Sequence, residues 1–404
     1  MDGFANPSFG AVADVFTEQL EKTDGGAALA IFHRGELVVD LWGGLRSPDG
    51  DPWVADTLAM AFSTTKGVAS MALHVQADAG LIDYDEPVAT YWPEFAQNGK
   101  ENITVRHVLS HSAGLHRLRT VIDTAEHMLD WEHMVEALAA EAPAYEPGTK
   151  TGYHALSYGW LVGEIVRRVT GRPLNQVIAE DVAAPLGLDG LHLGCPPEER
   201  HRVAPLEPMG LNIPAPLRVA GGLLVSQVGR ALSLVRSPVN TRRMINALAP
   251  RGMEDVLASE EIMDASIPAA NGFFTARSLA SMYAVLAGRG THDGVRILSP
   301  ETVDQIGEEQ NNRRDLVLVM PMRWRLGYHH ILRSAHLAPD GYGHFGFGGS
   351  GAWVDPSREL ALAMVCNRGS GTPVGDARLM ALSRVALEAA DRIADEDDRL
   401  TEAS

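Results

Sequence analysis

Ser63 and Lys66 are the two residues whose types and spacing most directly suggest chemistry. They form a Ser-x-x-Lys motif where a helix is predicted to begin, because apolar residues recur every three or four positions over residues 68–75. Residues three apart share one face of a helix, so the Lys66 amine can lie beside the Ser63 hydroxyl. The first turn also presents free backbone N–H groups to a developing oxyanion. The pattern indicates a nucleophilic serine with a lysine base, provided that the pKa of the lysine is lowered.

Two further segments could complete such a site. Tyr153 precedes the apolar helix pattern of residues 156–169, and a phenol at that turn could transfer protons. His344 begins a glycine-rich run, residues 344–351, whose backbone can approach a ligand closely. Each of the three segments also has a purely structural interpretation: a capped helix with an exposed lysine, a packed tyrosine, and a turn with a structural histidine.

The elements that must position these residues follow from hydrophobic periodicity. Strand patterns occur near both ends of the chain, and helical patterns lie between them. Hairpins are predicted for residues 27–32 with 37–42 and for residues 351–365, with a turn at 355–358. Helices are predicted over residues 9–22, 105–109, 131–140, 156–169, 174–182, 271–286 and 376–393, and strand-forming residues occur over 324–331. This order predicts one discontinuous α/β domain that carries a mostly helical insertion.

Composition and charge exclude several classes of protein. The 404 residues include 34 Lys and Arg against 52 Asp and Glu, a formal net charge of -18, which is opposite to what binding to nucleic acid or an anionic membrane requires. Two cysteines, Cys195 and Cys366, are too few for a disulfide framework or a thiolate zinc site. The chain starts without the basic and apolar segments of a signal peptide and has no run of 18 apolar residues. We therefore expect a soluble cytoplasmic protein with no nucleic-acid or membrane partner.

Together the three segments resemble the serine β-lactamase and penicillin-binding superfamily, which is marked by Ser-x-x-Lys and Lys-Thr-Gly motifs. The match is closest to its class C-like branch, in particular the family VIII carboxylesterases and related acyltransferases, and covers nearly the whole chain. Three further segments carry the resemblance: residues 109–115 (LSHSAGL), 163–171 (GEIVRRVTG) and 185–188 (PLGL).

The resemblance implies a particular α/β fold. A central antiparallel sheet flanked by helices would be formed by residues 1–80 and 264–404. Residues 81–263 would form the mostly helical inserted domain, and the active site would lie at the interface of the two.

The resemblance also implies roles for single residues. Ser63 would be the nucleophile, and Lys66 and Tyr153 would share the acid–base work. The backbone N–H groups of Ser63 and Phe347 would form the oxyanion hole. The opposite wall of the site, which binds the substrate, would be lined by His344, Phe345 and Gly346, with Ala155 beside the tyrosine.

Two departures from the family pattern bear on the substrate. Ala155 stands where the family's Tyr-x-Asn motif has Asn, and His344 and Phe345 stand at the first two positions of Lys-Thr-Gly. A β-lactam needs a bound carboxylate and a hydrogen-bonded amide, and Ala155 and Phe345 carry no polar side chain for either. His344 would be charged only in a minor fraction near pH 7. Phe345 and Phe347 suit an uncharged acyl or alcohol group better than a carboxylate.

Three other patterns are weaker. Residues 150–152 (KTG) spell the family's third motif but do not lead into a strand. Ser350 lies in a near miss to Gly-x-Ser-x-Gly, and it opens a strand instead of a helix. His107, His111 and His116 are spaced like metal ligands but lack a companion Glu, so we expect them to be core and capping residues.

The sequence therefore predicts a serine esterase that hydrolyses short-chain or small carboxylic esters, with no cofactor and no metal. The same residues would serve an acyltransferase, in which the acyl-enzyme meets an acceptor other than water. A β-lactam or D-Ala peptide hydrolase is disfavoured by Ala155 and Phe345. A non-catalytic scaffold is disfavoured because Ser63, Lys66 and Tyr153 occur together. The expected partner is a small-molecule ester, and the sequence is compatible with a homo-oligomer.

Overall fold

Strands from both ends of the chain form the central sheet. The computed structural model describes residues 1–206, 250–331, 338–369 and 376–402. Its strands are β1 (Asp2–Ala5), β2 (Gly26–His33), β3 (Glu36–Gly44), β4 (Ala59–Met60), β5 (Leu191–Leu193), β6 (Gly272–Phe274), β7 (Thr291–His292), β8 (Val295–Arg296), β9 (His329–His330), β10 (Tyr342–Phe345), β11 (Gly351–Asp355) and β12 (Leu360–Cys366). Seven of them form one antiparallel sheet in the order β1-β3-β2-β12-β11-β10-β9. The predicted α/β fold with a central antiparallel sheet is confirmed.

The two predicted hairpins are the core of this sheet. β2 and β3 are joined through Arg34 and Gly35, both with positive φ, the backbone conformation that matches the twist of a tight hairpin. β11 and β12 are joined by a short 3-10 turn, Pro356–Arg358. β12 then pairs with β2 over its full length. The nucleophile segment, which follows β4, contacts the glycine-rich run before β11 through the Thr64 hydroxyl, which donates to Ser350 O.

Helices account for most of the remaining chain. The α-helices are α1 (Gly10–Leu20), α2 (Thr65–Asp78), α3 (Val88–Tyr91), α4 (Val105–Leu109), α5 (Leu118–Val121), α6 (Trp131–Ala140), α7 (Ser157–Thr170), α8 (Leu174–Val177), α9 (Met253–Ala258), α10 (Glu261–Asp264), α11 (Ala276–Ala287), α12 (Pro300–Gly307) and α13 (Ala377–Glu402). Short 3-10 turns span Pro7–Phe9, Phe62–Thr64, Pro93–Phe95, Ala125–Leu129 and Pro197–Arg202, and a π-helix, Ile178–Ala183, continues α8. Residues 207–249 of the predicted helical insertion lie outside the described residues.

Both faces of the sheet are covered, as the unbroken apolar sequence of β2 requires. Alternate residues of a strand point to opposite faces. Ala28, Ala30 and Phe32 therefore join the core that contains α2 and α11, whereas Leu29 and Ile31 join the core that contains α1 and α13. In the described part of the chain no helix is both long and apolar enough to span a bilayer.

Two segments differ from the sequence prediction. Residues 324–331 contribute only the two-residue strand β9, because the Arg325 N–H donates to Tyr328 O and the chain turns there through Gly327. The helix predicted from residue 271 starts later, at Ala276. Residues 272–274 instead form β6, which pairs with β4 and β5, and Thr275 caps α11 by accepting a hydrogen bond from the Ser278 N–H.

Candidate active site

Ser63 lies in a 3-10 turn, Phe62–Thr64, that leads directly into α2. Phe62 has a φ of 48°, a conformation that is strained for a bulky residue. Neighbouring contacts hold the turn in this form. The Thr64 hydroxyl donates to Ser350 O (3.1 Å), and the Thr65 hydroxyl donates to Phe62 O (2.6 Å). Ser63 itself is only half-buried, so its hydroxyl is held in place and open to a substrate.

Lys66 follows Ser63 by one turn and is fully buried. Its Nζ donates to Ser63 Oγ (2.9 Å) and to the backbone Ala269 O (3.1 Å). No described acidic side chain forms an ion pair with it, and burial lowers the pKa of Lys66 well below its ordinary value. Desolvation penalises the charged ammonium, which favours the neutral amine. The environment therefore meets the condition under which a lysine can act as a base.

Tyr153 contacts the same oxygen of Ser63. Its hydroxyl donates to Ser63 Oγ (2.8 Å), and Lys66 Nζ lies 4.9 Å from the centroid of its ring. Burial raises the pKa of Tyr153 above its ordinary value, so the hydroxyl keeps its proton. The structure thus brings Ser63, Lys66 and Tyr153 together, with a lysine suited to accept a proton and a tyrosine suited to donate one.

Aromatic rings enclose the Tyr153 side chain. The Trp324 ring stacks on it with centroids 5.7 Å apart and planes 12° apart, and the His111 ring packs edge-on at 5.1 Å. His344 lies further away, at 6.2 Å between ring centroids. His111 and Trp324 were not identified as site residues from the sequence. Trp324 comes from a loop 171 positions away, and His111 was recognised only as a core residue.

Asp315 is a second residue near the site that the sequence did not identify. Its carboxylate is buried, and Oδ1 accepts hydrogen bonds from the backbone N–H groups of Tyr153 (3.1 Å), Val317 (2.8 Å) and Leu318 (3.0 Å). Burial raises the pKa of this carboxyl. Asp315 lies in a loop without hydrophobic periodicity, so no local pattern marks it.

His344 lies on β10 and faces the site as a neutral imidazole. Its Nδ1 donates to Phe345 O (3.2 Å), and burial lowers the pKa of His344 well below its ordinary value. His329, 5.0 Å away between ring centroids, is also buried, which lowers its pKa to about 4. No fixed positive charge is therefore present at this wall from either histidine.

The Phe345 side chain does not line this wall, which corrects the sequence prediction. Phe345 is the neighbour of His344 on β10, so its side chain points to the opposite face of the sheet. There it lies in the core with Trp353 and Leu379 and is 1% exposed. Its ring cannot receive an acyl or alcohol group, and only its backbone belongs to the site.

Gly346 and Phe347 place the backbone between β10 and β11 against the serine turn. A Cβ on Gly346 would lie 2.3 Å from Ala61 O, so only glycine permits this approach. The Phe347 ring packs edge-on against Phe62, with centroids 6.2 Å apart, and is half-buried. The Phe347 N–H donates to no described acceptor, so it is available to a ligand.

Ala155 is buried in a small cluster with Tyr153, Val317 and Leu318. Its N–H donates to Tyr153 O (2.9 Å). It supplies no polar side-chain atom beside Lys66, and the second hydrogen bond of Lys66 goes to a backbone carbonyl instead.

Among the weaker patterns of the sequence, His111 packs against Tyr153, whereas Ser350 and His107 have structural roles. Ser350 is buried, and its hydroxyl accepts the Cys366 N–H (3.1 Å), so it is not exposed to a substrate. His107 forms a capping box with Thr104 at the start of α4, and His111 and His116 are buried. Within the described residues no three His, Cys, Asp or Glu side chains are grouped as metal ligands would be.

Comparison with known proteins places this geometry in one family. The Beta-lactamase family model matches residues 12–386. The Esterase/beta-lactamase LipL of Mycobacterium tuberculosis is 40% identical over 379 residues, which cover 91% of this chain and 82% of LipL. A solved family VIII carboxylesterase superposes with a TM-score of 0.83 at 35% identity, covering 97% of this chain and 99% of its own. A penicillin-binding protein homologue from Caulobacter crescentus superposes with a TM-score of 0.79 at 33% identity, covering 97% and 100%.

This chain belongs to the Beta-lactamase family. The resemblance inferred from the three motifs is confirmed, and it extends over nearly the whole chain, as expected.

Proposed function

We propose that this serine ester hydrolase forms an acyl-enzyme on Ser63 and acts on small, uncharged carboxylic esters. The observation that carries the proposal is that Ser63 Oγ lies within hydrogen-bond distance of both Lys66 Nζ and the Tyr153 hydroxyl. One oxygen thus has a neutral amine and a protonated phenol beside it, which is what a nucleophile and its acid–base partners need.

Acylation follows from these two contacts. Lys66 takes the proton of Ser63 as Oγ attacks the ester carbonyl, and the backbone N–H groups of Ser63 and Phe347 stabilise the oxyanion of the tetrahedral intermediate. When the carbon–oxygen bond of the ester breaks, Tyr153 donates its proton to the leaving alcohol. Lys66 returns a proton to Tyr153, so both groups regain their starting forms.

Deacylation uses the same groups with water in place of Ser63. The neutral Lys66 and Tyr153 pair takes a proton from the attacking water, and Ser63 regains its proton as the acid leaves. No atom beyond the protein, the ester and water is needed for this balance.

The expected preference for neutral esters rests on the charge of the wall opposite Ser63. His344 is neutral, and Ala155 has no polar side-chain atom. A substrate carboxylate or amide bound there would lose its water without gaining a side-chain partner, at a cost of about 1–3 kcal/mol per group. The Phe345 ring does not affect the substrate, because it lies on the other face of the sheet.

Labelling with a fluorophosphonate tests the nucleophile. Wild-type protein should carry one adduct, on Ser63, and Ser63→Ala should carry none. Ser350→Ala is the matched control and should label like wild type, because the Ser350 hydroxyl is buried. An adduct that peptide mapping places on Ser350 would refute the assignment.

A substrate panel tests the reaction. Butyrate esters should be hydrolysed with a kcat/KM at least about tenfold above that for penicillins, as expected when one or two polar groups stay unpaired. Equal turnover of the two substrates would refute the preference for neutral esters. Adding a primary alcohol and measuring the transesterified product shows whether an acceptor other than water competes for the acyl group on Ser63.

We also propose that the enzyme works in the cytoplasm. Cys195 and Cys366 are both buried and unpaired, which suits a reducing compartment. Cell fractionation with an antibody to the protein tests the location.

A further inference from the structure

Asp315 is a buried carboxylate whose position is not explained by an ion pair. It is 1% exposed, and no described Lys, Arg or His side chain forms a salt bridge with it. Burying an unpaired carboxylate is costly unless hydrogen bonds compensate for lost water. The compensation comes from three backbone N–H groups, two of which belong to its own turn and the third to Tyr153.

The contact with Tyr153 joins two segments that are distant in the chain, being 162 residues apart. Leu316 N–H also donates to Thr151 O (2.9 Å), and the Thr151 hydroxyl donates to the side chain of Asn311 (2.9 Å). The loop around residue 315 therefore holds the backbone on both sides of Gly152. The Tyr153 backbone, and with it the direction of the phenol, is set by this loop.

The groups that pack on the Tyr153 ring carry no fixed positive charge. Lys66 faces the ring as a neutral amine, and neutral His111 and His344 lie beside it. Burial raises the pKa of Tyr153, and the nearby carboxylate of Asp315 acts in the same direction.

We propose that Asp315 is the positioning residue of Tyr153: by accepting the Tyr153 N–H it fixes the tyrosine backbone so that the hydroxyl meets Ser63. The inference rests on the proton-donating role proposed above for Tyr153.

Asp315→Asn separates the charge from the hydrogen bonds, since the amide oxygen can still accept the three N–H groups. In this variant the Tyr153 N–H keeps its acceptor, so the hydroxyl should still meet Ser63. The kcat near pH 7 should stay within about threefold of wild type. Asp315→Ala also removes the acceptor, and its kcat should fall about tenfold to a hundredfold with KM changed less than about threefold.

Rescue by the conservative variant separates positioning from a general loss of structure. If Asp315 acts by accepting the Tyr153 N–H, Asp315→Asn should keep most of the activity that Asp315→Ala loses. Wild-type kcat in Asp315→Ala would overturn the positioning role, and so would a loss of kcat in Asp315→Asn as large as that in Asp315→Ala.

Asp355→Asn is the matched control. Asp355 is also a fully buried carboxylate that accepts a backbone N–H, from Ser357 (3.1 Å), but it lies at the turn between β11 and β12. This variant should lose thermal stability without a comparable loss of kcat. If wild-type protein hydrolyses no ester and Ser63 is not labelled, the proposed function fails. If wild-type protein hydrolyses esters and Asp315→Ala does so at the wild-type rate, only the role of Asp315 fails.

Discussion

At the scale of single residues, the chemistry of Lys66 depends on what surrounds it. An exposed lysine is protonated at neutral pH and cannot accept a proton. Lys66 is buried, and its partners are the hydroxyl of Ser63 and the carbonyl of Ala269, neither of which carries a charge. The neutral amine is therefore favoured, and the base role in the proposed mechanism follows from this environment.

Replacing Lys66 by arginine tests whether Lys66 acts by accepting a proton or only by supplying a positive charge. Lys66→Arg should lower kcat by about two orders of magnitude or more, because a guanidinium does not lose its proton in a protein. In wild type, kcat should fall as the pH is lowered and Lys66 gains a proton, with the midpoint well below the ordinary pKa of lysine. Steady-state rates between pH 5 and 10 measure both effects. Near wild-type kcat in folded Lys66→Arg would remove Lys66 from the base role.

The burial of Lys66 also makes the folding stability of the protein depend on pH. The folded pKa is lowered, so between the folded and the unfolded values the unfolded chain binds one more proton than the folded chain. Folding stability therefore increases as the pH rises through this window and decreases as it falls. Thermal unfolding of Lys66→Met should show a weaker dependence on pH than wild type, and an equal dependence would contradict a lowered pKa.

Tyr153 and Lys66 should behave as one catalytic unit. Tyr153→Phe and Lys66→Ala should each lower kcat by about 10²–10⁴-fold. The double variant should be little worse than the poorer single variant, because removing either member disables the proton transfer. Single-turnover kinetics with a chromogenic ester measure the four proteins. Additive losses would show that the two residues act independently.

At the scale of elements, the loop between α10 and β6 positions Lys66. Asn271 is fully buried in this loop, and its side chain accepts the Ile267 N–H (2.8 Å) and donates to Ile262 O and Ala265 O (both 2.8 Å). These bonds fix the backbone that carries Ala269 O to Lys66 Nζ.

Replacing Asn271 by alanine should therefore affect both stability and catalysis. Three buried backbone groups lose a hydrogen-bond partner, which costs about 1–3 kcal/mol per group. The backbone that presents Ala269 O to Lys66 is also no longer held in place. The melting temperature should fall, and kcat should fall about tenfold, whereas KM should change little.

Asn367→Ala is a matched control for this experiment. Asn367 also joins three backbone groups, Gly26 N and the carbonyls of Leu45 and Arg46, at the edge of β12. The Asn367→Ala variant should have a lower melting temperature without a comparable loss of kcat. Equal losses of kcat in the two variants would show that Asn271→Ala loses activity because it is less stable, and not because Lys66 is displaced.

At the scale of the whole molecule, one face of the sheet shares a hydrophobic core with the helices of the insertion. Ala28 and Ala361 of the sheet lie in the same buried cluster as Leu161 and Val166 of α7. α2 is central to this cluster and carries Lys66 on its first turn. We propose that residues 1–80 with 264–404 and residues 81–263 are two domains joined across this core, with the site between them.

The net charge of -18 should add a long-range selection against anionic esters. An ester with a free carboxylate on its acyl group should have a lower kcat/KM than the neutral ester of equal length. The kcat/KM of the neutral ester divided by that of the anionic ester should shrink about twofold or more between roughly 0.01 and 0.3 M salt. The reason is that the Debye length falls from about 30 Å to less than about 8 Å. The neutral ester serves as the control, and a ratio that does not respond to salt would contradict long-range repulsion.

The sequence by itself determined the features that depend on neighbours along the chain. Residues three apart on a helix meet, so Ser63 and Lys66 could be paired from their spacing. The two hairpins were predictable because alternating or unbroken apolar runs are separated by short turns. The resemblance to a family rested on short motifs of the same local kind. It also linked Tyr153 to Ser63, which spacing alone could not do.

Only the tertiary structure decided the features that depend on residues far apart in the chain. Ala269 O contacts Lys66 across 203 positions, and Asp315 contacts Tyr153 across 162. The face on which Phe345 lies was decided by the register of β10 in the sheet, since a shift of one residue exchanges the two faces. The protonation of Lys66 and Tyr153 was decided in the same way, because a pKa reports burial and nearby charges, and neither exists until the chain has folded.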